Sequence, residues 1–469
     1  MPEIDPALLS AEDMLTAFAR RQLTPVDVLR AITERVARLN PGLNAFAVMH
    51  PGALQAAGES TSRWRSGRPI GILDGVPCTV KDLVDLAGFP TRRGSRTTSA
   101  DTVPDDAPMV AGLKAAGALI LGKTTTTEFG WKSPGDCPLH GITRNPWNPA
   151  YTTGGSSAGA GAAGAAGFGP LHIGTDAGGS VRIPAAWCGL VGLKPTYGRI
   201  PQWPASAFAS VAVAGPMTRT VRDAALMFSA MARWDLRDPF CLPDDAGNWL
   251  DGIEEGVAGL TVGVLNNPGF DAPVDPDGIA AVERAAQLLA DAGANVEQVD
   301  PRLPDIALPD TSLIFSRVWG AALARLVANT PTQLVGLLDP GIREVAETLG
   351  GMTAIEFMDS EATRAAAGHA MARLHQRYDL VLCPTVPAGP PLADAPTVDP
   401  VRALWTEWAP WTFAFNLTLQ PAISVPMGPR SDGLPNSVQI AAAKFRDDLV
   451  LRAARTIELV QPFPLADLG

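Results

Sequence analysis

The sequence predicts an α/β protein: a single large domain, residues 1–469, in which a mixed, mostly buried β-sheet is covered by helices on both faces. Short apolar runs of strand length recur along the chain, at 75–82, 117–123, 260–265, 379–385, 422–427 and 437–443. They are apolar throughout rather than alternating, the pattern of strands buried on both sides. Helical patterns lie between them, near 105–116, 220–233, 276–292 and 447–459. The composition agrees, because 46% apolar and 18% charged residues over 469 positions can form a large core and do not describe a disordered chain.

Taken in order, the elements begin with two capped helices. Ser10 with Asp13 forms a capping-box-like start, and Thr24-Pro25-Val26-Asp27 places proline at a first helical position. The strand runs GVPCTVKD (75–82) and GALILGK (117–123) follow. A small-residue stretch, TTGGSSAGAGAAGAAGFG, covers 152–169 and leads to GTDAGGSVRIPA at 174–185. Thr220 and Asp223 cap the next helix. Segment 235–259 is polar and rich in Pro and Gly, a linker or a long surface loop, and 386–400 is a second proline-rich irregular stretch. There is no internal repeat.

Net charge is −11, which argues against nucleic acid as a sequence-independent partner. Five cysteines (78, 137, 188, 241, 383) are widely spaced, with no C-x-x-C pair. They read as free thiols in a reducing compartment rather than a disulfide framework or a zinc site. The start, MPEIDPALLSAEDML, has no cationic stretch before an apolar run, and no long apolar segment of membrane-spanning length exists. A cytoplasmic protein is therefore expected, without membrane contact.

Several motif patterns overlap in the glycine-rich region, and context separates them. GAGAAG (159–164) fits a dinucleotide-binding turn, but NPWNPAYTTGGSSA before it cannot be the required strand. G117-A-L-I-L-G-K-T124 fits a phosphate loop, but Ala118–Leu121 reads as the strand itself, leaving no turn to cradle phosphate. GSSAG (155–159) fits an esterase elbow centred on Ser157. That reading also lacks an incoming strand, and its base would have to come from His50, His140, His172, His369 or His375. The last two lie in an Ala/Arg-rich helical segment.

Three pieces remain: Lys81 in GVPCTVKD, the serines of TTGGSSAGA, and Ser180 closing GTDAGGS. Together they resemble the amidase signature family of Ser-Ser-Lys hydrolases. The match is dense from about 70 to 222 and weaker at DLVLCPTVP and FNLTLQPAISVPMG, where the stretch from about 370 to 460 completes the sheet and pocket. The resemblance implies Ser180 as nucleophile, Ser156 as bridging serine after a cis Gly155–Ser156 bond, and Lys81 as base. A serine hydroxyl needs such a base, and a lysine serves only when burial keeps it neutral. One of only six lysines, Lys81 stands in an apolar run; on its own it also reads as a strand-end lysine paired with Asp82. The amides of Ala177, Gly178, Gly179 and Ser180 are the expected oxyanion hole. Asp176 and Arg182 are expected to pair and hold that loop, with Ser157 alongside the relay. The family's serine pair is commonly followed by two glycines, and Ala158 takes the first of those places.

The implied activity is hydrolysis of a small apolar or aryl amide, extending to carbamates or esters, with no cofactor and no metal. The expected pocket includes Trp131, the stretch Gln202–Ser210, and Trp405, Trp408 and Trp411, whose spacing of three equally fits a helix core. The expected partner is the small-molecule substrate, with a homodimer as the one assembly allowed for. The rival within the resemblance is the A-type component of a tRNA-dependent amidotransferase, which requires partner subunits. A catalytically silent binding protein on the same fold is a further alternative.

Overall fold

The structure, a computed structural model, describes residues 5–243, 248–266, 273–300, 311–398, 408–462, 465–466 and 468. The strands among them are β1 Phe46–Met49, β2 Pro77–Lys81, β3 Leu119–Thr124, β4 Asp136–Cys137, β5 Gly141–Ile142, β6 Leu171–Asp176, β7 Val191–Lys194, β8 Val213–Thr218, β9 Thr261–Val264, β10 Asn295–Gln298, β11 Leu380–Pro384, β12 Ala422–Pro429 and β13 Pro435–Ala442. The α-helices are α1 Ala11–Ala19, α2 Pro25–Leu43, α3 Ala53–Arg65, α4 Pro108–Ala115, α5 Ala158–Ala165, α6 Arg182–Cys188, α7 Val221–Met231, α8 Pro276–Asp291, α9 Ser312–Asn329, α10 Pro340–Leu349, α11 Ala354–Arg377, α12 Pro410–Leu417 and α13 Asp447–Val460.

Eleven strands form one sheet in the order β1-β3-β2-β6-β8-β7-β12-β13-β11-β9-β10, and β4 pairs with β5 apart from it. Parallel ladders join β3, β2 and β6, and again β11, β9 and β10, while the middle of the sheet is antiparallel. Every strand expected from an apolar run forms, because β2, β3, β11 and most of β12 and β13 are buried along their length. The expected caps form too. Ser10 Oγ accepts from Asp13 N–H, Thr24 and Asp27 make a reciprocal capping box, and Thr220 accepts from Asp223 N–H.

The main core lies between the sheet and helices α1 to α4, α7, α8 and α13. A second, aromatic cluster gathers Trp187, Phe208, Phe315, Trp319, Trp408 and Phe413, and draws α6, α9 and α12 together. The described part of segment 235–259 is pinned to the body: Leu242 N–H donates to Gly198 O, and Gln202 N–H donates to Asp238. The stretch 386–398 is tied down likewise, with Thr152 N–H donating to Pro391 O and Ala393 N–H to Ala150 O.

The glycines of 159–164 have a packing role. A Cβ on Gly159 would strike Ala45 O and Thr125 N, and one on Gly164 would meet Leu190 Cδ1 at 2.6 Å. α5 is thus rich in small residues because it is wedged among its neighbours, and no nucleotide is involved in that requirement. Cys78, Cys137, Cys188 and Cys383 are buried free thiols. Among the described residues no helix is long and apolar enough to cross a membrane.

Candidate active site

Lys81 ends β2 and is fully buried. Its Nζ lies 2.8 Å from Ser156 Oγ, 2.9 Å from Ser157 Oγ, 2.9 Å from Thr175 Oγ1 and 3.4 Å from Thr175 O. Burial pushes its pKa well below that of an ordinary lysine, against the opposing pull of the Asp176 charge. The alternative pairing with Asp82 does not form. Successive strand residues face opposite sides, and Asp82 turns instead to Lys123 on β3, at 2.8 Å.

The hydroxyls around Lys81 are not equivalent. Ser157 Oγ donates to Thr175 O at 3.3 Å and accepts from Thr175 N–H, so its own hydrogen is committed to a carbonyl. It can therefore only accept from Lys81. Among the described residues Ser156 Oγ has no such second partner, which leaves its proton available to a neutral amine. The Gly155–Ser156 bond is cis. Gly155 is enclosed, since a Cβ there would lie 2.8 Å from Thr127 Cγ2 and 3.0 Å from Ser133 O. Ala158 opens α5 and is fully buried, so its methyl is accommodated in the packing.

Ser180 lies in the loop between β6 and α6, where its Oγ is buried and has no hydrogen-bond partner among the described residues. The expected Ser156–Ser180 hydrogen bond is thus open in this structure, although both serines line one cavity. The loop itself is tightly held. Arg182 Nε and Nη2 grip the Asp176 carboxylate at 3.0 and 2.9 Å, a fully buried bidentate pair. Burial alone would raise the Asp176 pKa, but the charge and hydrogen bonds of Arg182 outweigh it and hold the carboxyl well below its usual range.

Asp176 also accepts from Gly179 N–H at 2.7 Å. This corrects one member of the expected oxyanion hole: the Gly179 amide points into the loop's own carboxylate. The amides of Ala177 and Ser180 carry no hydrogen bond among the described residues. Gly179 has φ +125°, and a Cβ there would meet Thr412 Oγ1 at 2.6 Å, so glycine is required.

α12 supplies residues that sequence reasoning did not single out. Thr412 Oγ1 donates to Gly178 O at 2.6 Å, and Asn416 Nδ2 donates to Asp176 O, Asp176 Oδ1 and Val211 O. Gln439 on β13 accepts from Arg182 Nη1 at 2.5 Å. Asn416 stands in the FNLTLQPAISVPMG stretch, so a signal existed, but its partner lies 240 residues away. Thr175, which faces Lys81, directly precedes Asp176 in GTDAGGS and was likewise not singled out.

Ser157 is not an esterase elbow. No strand enters it, His369 is exposed, and His375 is held by Gln420 and the Tyr378 carbonyl. His172 is buried against Thr79 and the Gly169 carbonyl. The strand expected in place of a phosphate loop forms as β3, which runs through Leu119–Thr124. Among the described residues no three or more His, Cys, Asp or Glu side chains gather as a metal site.

The serine cavity has a volume of about 90 Å³ and is lined by Phe129, Phe208 and the stretch 202–208. Phe129 holds φ +52°, a left-handed conformation uncommon for an aromatic residue. Trp203 is part of the stretch 202–208, whereas Trp131, Trp408 and Trp411 do not line this cavity. Trp131 and Trp408 line a separate cavity of about 620 Å³, and Trp408 stacks on Trp187. Trp411 is buried in a core cluster with Phe415 and Cys383, and Trp405 lies outside the described residues. Phe208 and Trp319, stacked at 3.9 Å, stand between the two spaces, one lining each.

Comparison with known proteins places this geometry. Residues 27–451 match the Amidase family model. The chain is 36% identical to an acylamidase from Rhodococcus erythropolis over 97% of this chain and 96% of that one. It is 32% identical to the A-type component of the glutamyl-tRNA(Gln) amidotransferase of Methylococcus capsulatus over 94% and 95% of the two chains. A solved bacterial aryl acylamidase of the amidase signature enzymes superposes with a TM-score of 0.88 at 26% identity, covering 97% and 96%. The chain belongs to the amidase family, whose enzymes hydrolyse amides.

Proposed function

We propose that the protein is a stand-alone hydrolase of small apolar or aryl amides, working through an acyl-enzyme on Ser180. The observation that carries this is the buried Lys81, its pKa pushed well down by burial, 2.8 Å from Ser156, with a Ser180 Oγ that has no hydrogen-bond partner among the described residues in the cavity that Ser156 also lines. In the first step Ser180 Oγ attacks the amide carbonyl, and its proton passes through Ser156 to the Lys81 amine. The oxyanion is stabilised by the amides of Ala177 and Ser180, with Gly178 beside them. The carbon–nitrogen bond then breaks, and the amine leaves with the proton returned from Lys81 through Ser156. Water attacks the acyl ester by the same relay, releasing the carboxylic acid and restoring Ser180. The Ser156–Ser180 link closes on substrate binding, since catalytic hydrogen bonds that are open in a free enzyme tighten in the complex.

No cofactor enters this scheme, and carbamates or esters fit the same steps. The similarity to an amidotransferase component supports a second reading, an A-type chain that needs partner subunits. Treatment with a fluorophosphonate, followed by peptide mass spectrometry, tests the first. Labelling at Ser180 that is absent in Ser180→Ala, with turnover of an aryl amide by the purified chain alone, is the expected result. Labelling without turnover until partner subunits are added would transfer the case to the second reading. Labelling at another serine would sink both.

A further inference from the structure

We infer that Arg93 and Asp85, at the wall of the serine cavity, form a recognition site for a second carboxamide or ureido group on the substrate. The inference rests on Ser180 being the reacting serine of that cavity. At about 90 Å³ the cavity is well below the several hundred cubic ångströms of a typical ligand pocket. In so small a space the rest of a larger substrate is set directly against the lining. What that lining offers then sets specificity.

Most of the lining is apolar, as at Leu83, Met109, Phe129 and Phe208. Its charged side chains are Asp176, already gripped by Arg182, and the pair Asp85 and Arg93. That pair is poorly made. Arg93 Nη2 is 4.0 Å from Asp85 Oδ1, beyond hydrogen-bond reach, and no side-chain hydrogen bond of Arg93 exists among the described residues. Asp85 Oδ1 is itself buried without a hydrogen-bond partner. A buried acceptor left open is costly to maintain, and beside it the Arg93 guanidinium, about a third exposed, is accessible to a ligand.

The backbone points the same way. Arg93 has φ +53°, where glycine would sit without strain, and its carbonyl accepts from Phe129 N–H at 2.8 Å. Two residues in left-handed conformations thus brace each other at the cavity, and one carries a long cation.

The chemistry of the gap selects the ligand. A carboxylate would satisfy Arg93 and set its charge against Asp85. An ammonium group would do the reverse. A primary carboxamide or a ureido edge presents C=O and N–H side by side and is neutral: its oxygen accepts from Arg93 while its N–H donates to Asp85. Within the proposed class, the substrate is therefore a small amide whose otherwise apolar body carries a second amide or urea along a short chain.

The test uses the purified full-length chain and three series of equal chain length: α,ω-diamides from malonamide to adipamide, the corresponding simple monoamides, and the corresponding half-amide carboxylates. At one chain length the wild type is expected to turn over the diamide with at least about tenfold higher kcat/KM than either comparator, mainly through KM. In Arg93→Gln and in Asp85→Asn the diamide-to-monoamide ratio is expected to fall about tenfold. A loss of fold lowers both substrates together and leaves that ratio intact, and the wild-type series decides the matter even if a variant fails to fold. A diamide no better than its monoamide at every length, or an unchanged ratio in folded Arg93→Gln, overturns the inference while Ser180 labelling stands. Absence of Ser180 labelling overturns the underlying reading, and this inference with it.

Discussion

Lys81 and Lys123 are two buried lysines on neighbouring parallel strands, with Lys123 standing opposite Val80 in the ladder. Their surroundings differ in kind. Lys123 Nζ meets the Asp82 carboxylate at 2.8 Å, the Pro90 carbonyl at 2.9 Å and the Thr91 hydroxyl at 2.9 Å. Lys81 meets three hydroxyls and a distant carbonyl, with no carboxylate in ion-pair reach among the described residues. Burial lowers the pKa of both; the Asp176 charge opposes it at Lys81, and both the charge and the hydrogen bond of Asp82 oppose it at Lys123. Acceptors hold a cation, whereas hydroxyls serve either protonation state. An apolar strand thus makes a lysine a structural ion or a base according to what faces its amine.

The sharpest way to break this comparison is to remove each amine in turn. Lys81→Met is expected to lower kcat by about 10⁴-fold, because the base is lost while the oxyanion amides remain. Its stability gives a second readout with a definite sign. The wild-type lysine is neutral when folded and protonated when unfolded, between its depressed pKa and about 10.5. In that window the unfolded state binds more protons, so wild-type stability rises with pH relative to Lys81→Met. Denaturant melts across that range check it, and a flat difference would mean that Lys81 stays charged.

Lys123→Met is expected to act on stability instead. It strands the Asp82 carboxylate in the core and should destabilise the fold by about 3–5 kcal/mol. Asp82→Asn in the same chain should recover part of this, because no unpaired charge then remains. Chemical denaturation of the single and double variants measures the coupling. If the double variant were as unstable as the single one, the pair would not be the ion pair described.

Much of this was legible in the sequence, for reasons that the two lysines make clear. The apolar runs, the caps and the Lys81, Ser156 and Ser180 stretches announce themselves through local pattern, and the strands they predict form. The strand through Leu119–Leu121 already spoke against a phosphate loop, and β3 runs on through Lys123. Partners set by tertiary contact were not legible. Asp82 follows Lys81 in sequence and was its natural partner on paper, yet strand alternation sends it to β3. Thr412, Asn416 and Gln439 reach the Ser180 loop from beyond residue 400, and no spacing announces that. Trp131 and Trp408 misled because aromatic spacing does not tell which cavity a ring lines: the serine cavity draws on Phe129 and, within the expected stretch Gln202–Ser210, on Trp203 and Phe208.

The finest test of the comparison leaves both amines in place and changes one hydroxyl. Thr175 Oγ1 lies 2.9 Å from Lys81 Nζ and is a bond that the charged amine can use fully. Thr175→Val removes that acceptor at nearly constant volume, so the charged form loses more than the neutral one and the Lys81 pKa drops further. Activity on the proposed mechanism requires the neutral amine, and kcat/KM rises with pH through that pKa. The rising limb of the pH–rate profile should therefore move to lower pH in Thr175→Val, by less than about one unit for a single hydrogen bond. The plateau should fall only modestly, since Ser156 remains in place to carry the proton. A limb that moves to higher pH would show that the hydroxyl donates to a neutral amine rather than accepting from a charged one. The contrast with Lys123 would then rest on the Asp82 carboxylate alone.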